Sequence, residues 1–529
     1  MKKFLVTVLT IVMMFSIVGC GSSKNADIDK DVVRVTMPKT AEPEGGFDPA
    51  NGWGAGEHVH EPLIQSTLTV TTKDMGIDKD LATEYSPSED GLTWTVKIRD
   101  DVKFSNGKPL TAEDVAFTYN NCRDNNTVND FSMLKEAVAK DKTTVEFHMN
   151  KPYSPWPYTM AVVGIVPKEG YSKDYGKEPI GSGRYILKQW DKGQQAIFEA
   201  NPDYYGEAPK IKKLVVLFME EDAALAAAKA GEVDVAHTAA TYAKDTKIKG
   251  FNIFEADTVD NRTINLPAVK PVEKDGVKYG NEFLSDVKVR RAINIGIDRE
   301  KMIEEVLNGY GTPAYSVCDK MPWYNKDSEV KFNKEKAEKL LDEAGYKKGD
   351  DGMRAKGDVK AEMTIYYAPG DSAREGIAEN LVNQMKDLGI AVKTETADWD
   401  VAYDKAQSNP LVWGWGAHSP MELYNIYHSN AKNPLGYAEY SPYSNKTVDE
   451  YMDKALASMD PKESNEYWKK AQWDGKTGIT QDGDIPWIWL CNIKHLYFVR
   501  DGLNVADQKI HPHGHGWSLV NNVDQWSWN

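Results

Sequence analysis

The chain has 529 residues, of which 64 are basic and 80 acidic, for a net charge of −16, and 41% of it is hydrophobic. An acidic balance of this size excludes a nucleic-acid partner held by charge, while the length supports large cores and about three domains. No segment after the N-terminus is apolar for about 18 residues, so none reads as a membrane span.

In chain order, Lys2 and Lys3 precede an apolar run from Phe4 to Val18 that is too short for a permanent anchor and ends in small residues before Cys20. Residues 1–19 therefore read as a signal peptide, whose removal takes away two lysines and no acid. Gly21 to Ala26 is polar and small, as a flexible tether should be. Leu92, Trp94, Val96 and Ile98 alternate with polar residues, the period of a half-buried strand, and Val145, Phe147 and Met149 repeat it. Between them Thr111-Ala-Glu-Asp114 has the form of a capping box opening a helix through Tyr119. Asp222 and the alanine-rich run after it, followed by Val233-Asp-Val235, predict a helix leading into a strand. Ala337, Leu340, Leu341 and Ala344 mark one face of a helix that starts at Asn333 and stops at Gly345. Residues 361–367, a helix over 373–388 and residues 390–396 predict a β-α-β unit with parallel strands and a right-handed crossover. The fold class is α/β with several domains.

Catalytic signatures are missing: there is no GxSxG elbow, no P-loop, and His60-Glu-Pro-Leu-Ile64 is not HExxH. The chain is thus expected to be no enzyme and to need no catalytic cofactor. Histidines are instead clustered. His58 and His60 sit two apart, as do His511, His513 and His515. In an extended segment such residues point the same way, and their imidazoles suit nickel, copper or zinc without naming one. Of the four cysteines, Cys122, Cys318 and Cys491 remain after Cys20 and permit at most one disulfide, with its partners left open.

Five motifs occur in one order: LATEYSPSEDGLTWTVKIRDDVKFSNGKPLTAEDVAFTY over 81–119, PIGSGRY over 179–185, NPDYYG over 201–206, GEVDV over 231–235 and VRRAINIGIDR over 289–299. On these the chain is identified as a member of the family 5 extracellular solute-binding proteins, the receptors of peptide and nickel ABC importers, and it looks nickel-binding-like. The resemblance implies a periplasmic-binding-protein type II-like fold, cluster C-like, with two α/β lobes, a hinge and an inserted domain. Mapped here, lobe I takes 32–63, 177–285 and 490–529, the insertion 64–176, and lobe II 286–489. Ile17-Val-Gly-Cys20 resembles a lipobox, implying lipidation at Cys20, a tether over 20–31 and an extracytoplasmic, lipid-anchored monomer that is periplasmic where an outer membrane exists. The partners implied are a permease and an ATPase.

Family position also picks site residues. His60 stands before Glu-Pro-Leu where relatives often carry a cleft-lining Tyr, and Trp415-Gly-Ala-His418 carries His418 where peptide-binding members usually have an Asp nearby for the peptide amine. The ligand expected is nickel, or a similar metal, complexed with histidine or another small chelator. His58, His60, His418, His511, His513 and His515 are the candidate metal-facing residues. Arg184 stands where the family usually has Pro and is the expected partner of a chelator carboxylate. Trp53, Trp413, Trp415 and Tyr424 are candidate aromatic walls. The alternative is an oligopeptide receptor using a carboxylate such as Glu422 or Asp404, and a third reading is an adhesin or sensor that has kept the fold without transport.

Overall fold

The computed structural model describes residues 29–51, 61–125, 131–274, 276–431, 443–513 and 516–529. The signal segment, Cys20, Trp53, His58, His60 and His515 lie outside the described residues.

Alternating apolar residues build the first sheet. Val33, Val35 and Met37 in strand Val32–Met37, and Leu214, Val216 and Phe218 in strand Lys213–Phe218, are buried on one face against Phe198 and Trp517. The sheet has seven strands, in spatial order Phe251–Ala256, His495–Arg500, Val235–Thr238, Val32–Met37, Lys213–Phe218, Gln195–Ala200 and Tyr185–Asp191. Val32–Met37 runs parallel to both neighbours, and the other pairings are antiparallel. Helix Glu221–Ala230 makes the crossover between two of the parallel strands and ends at Gly231, whose φ of 74° lets the chain turn back.

The second sheet orders Gly311–Pro313, Trp487–Ile493, Asn261–Asn265 and Val412–Trp415, all antiparallel. The expected β-α-β unit adjoins it: Glu362–Tyr367 pairs in parallel with Ala391–Thr396 through helix Ser372–Asp387, and Tyr366 bridges to Leu411 beside the sheet's edge. The chain passes between the two sheets at 257–260 and again at 494. Asn261–Asn265 and Trp487–Ile493 pair with each other within the second sheet.

The inserted segment forms a third, four-stranded antiparallel sheet, Ala82–Pro87, Thr93–Ile98, Thr144–Met149 and Leu134–Ala139. Helix Ala112–Asn125 packs on it, beginning at the expected box: the Asp114 carboxylate accepts from the Thr111 amide at 2.9 Å and hydroxyl at 3.0 Å. This domain leans on the second lobe, where Tyr158 meets the edge of Trp323 at 5.4 Å and the Ser154 amide donates to Leu456 O at 2.9 Å. Among the described residues no disulfide joins Cys122, Cys318 or Cys491, all of them buried. No described helix is long and apolar enough to cross a membrane.

Candidate binding site

The strand Asn261–Asn265 reads Asn-Arg-Thr-Ile-Asn, and all five residues are buried. Polar groups in a buried strand must find partners, and here they form a network at the crossing between the lobes. Asp260, at the end of the crossing segment, accepts from His513 Nδ1 at 2.6 Å through Oδ1 and from His495 Nε2 at 2.9 Å through Oδ2. Oδ1 is also paired with Arg262 NH1. Arg262 NH2 stands 3.4 Å from Asp371 Oδ2, which in turn takes Arg374 NH1 at 2.6 Å. Asp371 is placed there by its local role: it caps helix Ser372–Asp387, accepting from the Arg374 amide at 3.0 Å, so the cap and the first-turn arginine come as a unit.

Burial opposes every charge in this network, and the pairing decides which charges survive. For Asp371 burial pushes the carboxyl upward, but Arg374 and Arg262 hold it down to about 2. Asp260 is likewise held well below its ordinary range by Arg262 and His513 against its burial. Burial lowers His513 and outweighs the opposing Asp260, and burial with His495, His418 and Lys509 beside it lowers His511 strongly. Burial, with Lys509 adding to it, takes His418 down to about 4 despite Glu61. The site thus holds neutral imidazoles among paired ions.

Of the expected residues, His418, His511 and His513 come together at this junction. The C-terminal segment carries two of them along the crossing: His511 forms a parallel bridge with Thr258, and the His513 amide donates to Gly416 O at 2.7 Å. His418 Nε2 donates to Ile510 O at 2.9 Å. Both ring nitrogens of His511 are engaged, Nδ1 with His495 Nδ1 at 3.1 Å and Nε2 with Gln508 Oε1 at 3.2 Å. Among the described residues no group of three or more His, Cys, Asp or Glu side chains is arranged to hold a metal ion. Trp413 and Trp415 stack at 5.8 Å on strand Val412–Trp415, with Trp487 across from Trp415 at 6.0 Å. Tyr424 stacks on His428 at 4.2 Å. Arg184 pairs with Asp524 at 3.1 Å in the first lobe, with Glu61 and Asp80 also acting on its charge.

Two carboxylates complete the surroundings. Glu422 turns back to accept from the Gly416 and Ala417 amides at 3.0 and 2.9 Å, and burial nonetheless pushes it up to about 7. Glu61 accepts from Thr71 Oγ1 and pairs with Lys509. Asp404 is exposed on its helix. The arrangement offers lone-pair nitrogens beside guanidinium groups, and the Nε atoms of Arg262 and Arg374 are buried without a hydrogen-bond partner. Sequence reasoning missed Asp260, Arg262, Asp371, Arg374 and His495, whose one local signal was Asp371-Ser-Ala-Arg374 at a helix start.

Comparisons with known proteins agree on the family. The model of the bacterial extracellular solute-binding proteins, family 5, matches residues 76–436. Protein XP55 of Streptomyces lividans is 32% identical over 434 residues, 78% of this chain and 76% of that protein. The oligopeptide-binding protein AppA of Bacillus subtilis is 31% identical over 482 residues, 85% of this chain and 84% of its own. Among solved structures, NikZ from Campylobacter jejuni in complex with Ni(L-His) superposes with a TM-score of 0.76 at 24% identity, covering 94% of this chain and 100% of that one. The fold is that of the type II periplasmic binding proteins. The chain belongs to the bacterial extracellular solute-binding proteins, family 5, which are transport receptors of ABC importers and not enzymes.

Proposed function

We propose that this receptor captures a late transition metal, nickel first among them, as a complex with a small carboxylate-bearing chelator such as histidine. The observation that carries the reading is the meeting at one buried junction of neutral imidazoles, His418 and His513, with Arg374, a guanidinium whose Nε has no hydrogen-bond partner. Imidazole nitrogen suits a late transition metal, and a buried guanidinium with donors to spare suits the carboxylate of a chelator. Arg374 takes over the part expected of Arg184. His58, His60 and His515 are proposed as further metal-facing residues from their sequence positions alone, and Trp53, Trp413, Trp415 and Tyr424 as aromatic walls. The Ni(L-His) complex of the NikZ structure is a precedent for such a ligand on this fold. The signal segment, Cys20 and the tether are proposed to anchor the receptor outside the membrane through lipid, as a monomer serving a permease and ATPase.

The named oligopeptide-binding relative favours a second reading, a peptide receptor in which Glu422 meets the peptide amine. Thermal melting distinguishes the two, since a ligand that binds only the folded state raises the midpoint with its concentration. The first reading expects a rise with nickel plus histidine and none with peptides. A rise with tripeptides to pentapeptides alone would sink it.

A further inference from the structure

The insertion is fastened to the first lobe and reaches across to the second. Its ends are bonded into the first lobe, where the Gly183 amide donates to Ile64 O at 2.7 Å and the Phe47 amide to Gly176 O at 2.8 Å. Ile64 and Tyr185, at the two ends, lie in that lobe's core. The chain passes between the lobes at 257–260 and 494, outside the insertion. Contacts from the insertion to the second lobe therefore span two bodies that a hinge at those crossings would separate. One set of them meets the second lobe at the turn between helices Lys446–Ala457 and Pro461–Gln472.

The last carbonyls of a helix have no partner inside it, and Ser154 of the insertion supplies one from the other body. Its amide donates to Leu456 O at 2.9 Å and its hydroxyl to Ala455 O at 2.8 Å, which also accepts from the Ser464 hydroxyl at 2.8 Å. Gly91 makes room for the turn itself: a Cβ built there would lie 3.0 Å from Met459 Cε and 3.1 Å from Pro152 Cβ. Alongside, Tyr158 meets the edge of Trp323 at 5.4 Å, and Trp323 O accepts from Gln472 Nε2 at 2.7 Å, tying that ring to the same helix pair. We propose that the insertion is the clasp of the closed receptor, Ser154, Tyr158 and the Gly91 turn gripping this helix pair when the lobes meet and releasing it when they part. The contacts suit release, since none of the groups named is charged and a carbonyl at a helix end accepts from water once the serine leaves. A clasp made only in the closed form favours closure by the same amount whichever ligand fills the cleft, so the inference stands apart from the metal-chelate reading.

The test joins the two sides covalently. Ser154→Cys combined with Ser464→Cys puts thiols where two hydroxyls stand 3.2 Å apart, while Cys122, Cys318 and Cys491 are buried. Small-angle X-ray scattering of this variant, with no ligand added, is expected to give a smaller radius of gyration after oxidation by oxidised glutathione than after reduction, with wild type unchanged by either treatment. A folded variant that does not oxidise overturns the contact. One that oxidises with superposable scattering curves overturns the clasp, because the insertion and the second lobe then do not part. Hydrogen exchange of the wild type reads the same motion without a substitution. The Ser154 amide is expected to exchange faster than the ladder amides of strand Thr93–Ile98, through an opening that leaves the insertion folded. Equal protection of the two overturns the clasp as well.

Discussion

Gly414 lies between Trp413 and Trp415 on an edge strand, and the place its side chain would take is filled by His513, Arg262 and Arg374. Gly414→Ala must push an imidazole and two guanidinium groups outward from contacts of 2.7 to 2.9 Å. We expect a folded protein whose nickel–histidine affinity falls by at least about tenfold, read by calorimetry, since first-contact groups tolerate little displacement. Asp319 gives a pH prediction. It is buried, with the Tyr315 amide at 3.2 Å and Asn492 Nδ2 at 3.3 Å, and burial pushes its carboxyl up to about 7 from 3.8. The folded state then binds the proton more tightly than the unfolded one. This group's contribution is fully present below its unfolded value of 3.8 and is lost as pH rises through about 7. Urea denaturation of wild type and Asp319→Asn should therefore favour the variant increasingly from pH 4 to pH 8, by up to about 4 kcal/mol. A difference independent of pH would refute the assignment. His418, His511 and His513 could be singled out from the sequence by two-residue spacing or family position, whereas His495, which also lies at the junction, could not. Asp260 and Arg262 could not either, because what joins them to the rest of the network, His513 to Asp260 across 253 residues and Asp371 to Arg262 across 109, leaves no local pattern, whereas Arg374 and Asp371 share a helix start. The pairing of Arg184 with Asp524, 340 residues away, is hidden from the sequence for the same reason.

Among the elements, those with a plain hydrophobic period were readable. Trp94, Val96 and Ile98 are buried as their alternation requires, although Leu92, expected with them, is exposed just before the strand, and residues 361–396 form the parallel unit that spacing predicts. The strand Asn261–Asn265 was not readable, because its buried positions are mostly polar and its stability comes from side-chain hydrogen bonds. Asn265 is the clearest case: Nδ2 donates to Ala406 O at 2.8 Å, and Oδ1 accepts from the Leu411 amide at 2.8 Å and Trp413 Nε1 at 2.9 Å. Asn265→Ala deprives two buried donors of this acceptor and is expected to cost ~3 kcal/mol, seen as a lower urea midpoint at unchanged slope. A loss under about 0.5 kcal/mol, the range of ordinary surface substitutions, would show that the strand is held by its backbone ladder alone.

At the scale of the whole molecule, two lobes meet at two chain crossings, and the C-terminal segment is laid over them, with His511 bridged to Thr258 and His513 bonded to Gly416. A receptor of this kind closes only by as much as its ligand prefers the closed form, so the ligand must touch both lobes. His513 comes from the C-terminal segment, whereas His418 and Arg374 come from the second lobe, so a metal held by imidazoles and a carboxylate held by the guanidinium would join the two. The most direct test is calorimetric titration of the protein with nickel alone, with nickel plus free histidine, and with a pool of tripeptides to pentapeptides. The account predicts tight uptake of nickel with histidine, weakened in His418→Ala and in Arg374→Ala, and no heat from the peptides. Heat from the peptides alone, lost in Glu422→Gln, would contradict it and make this a peptide receptor.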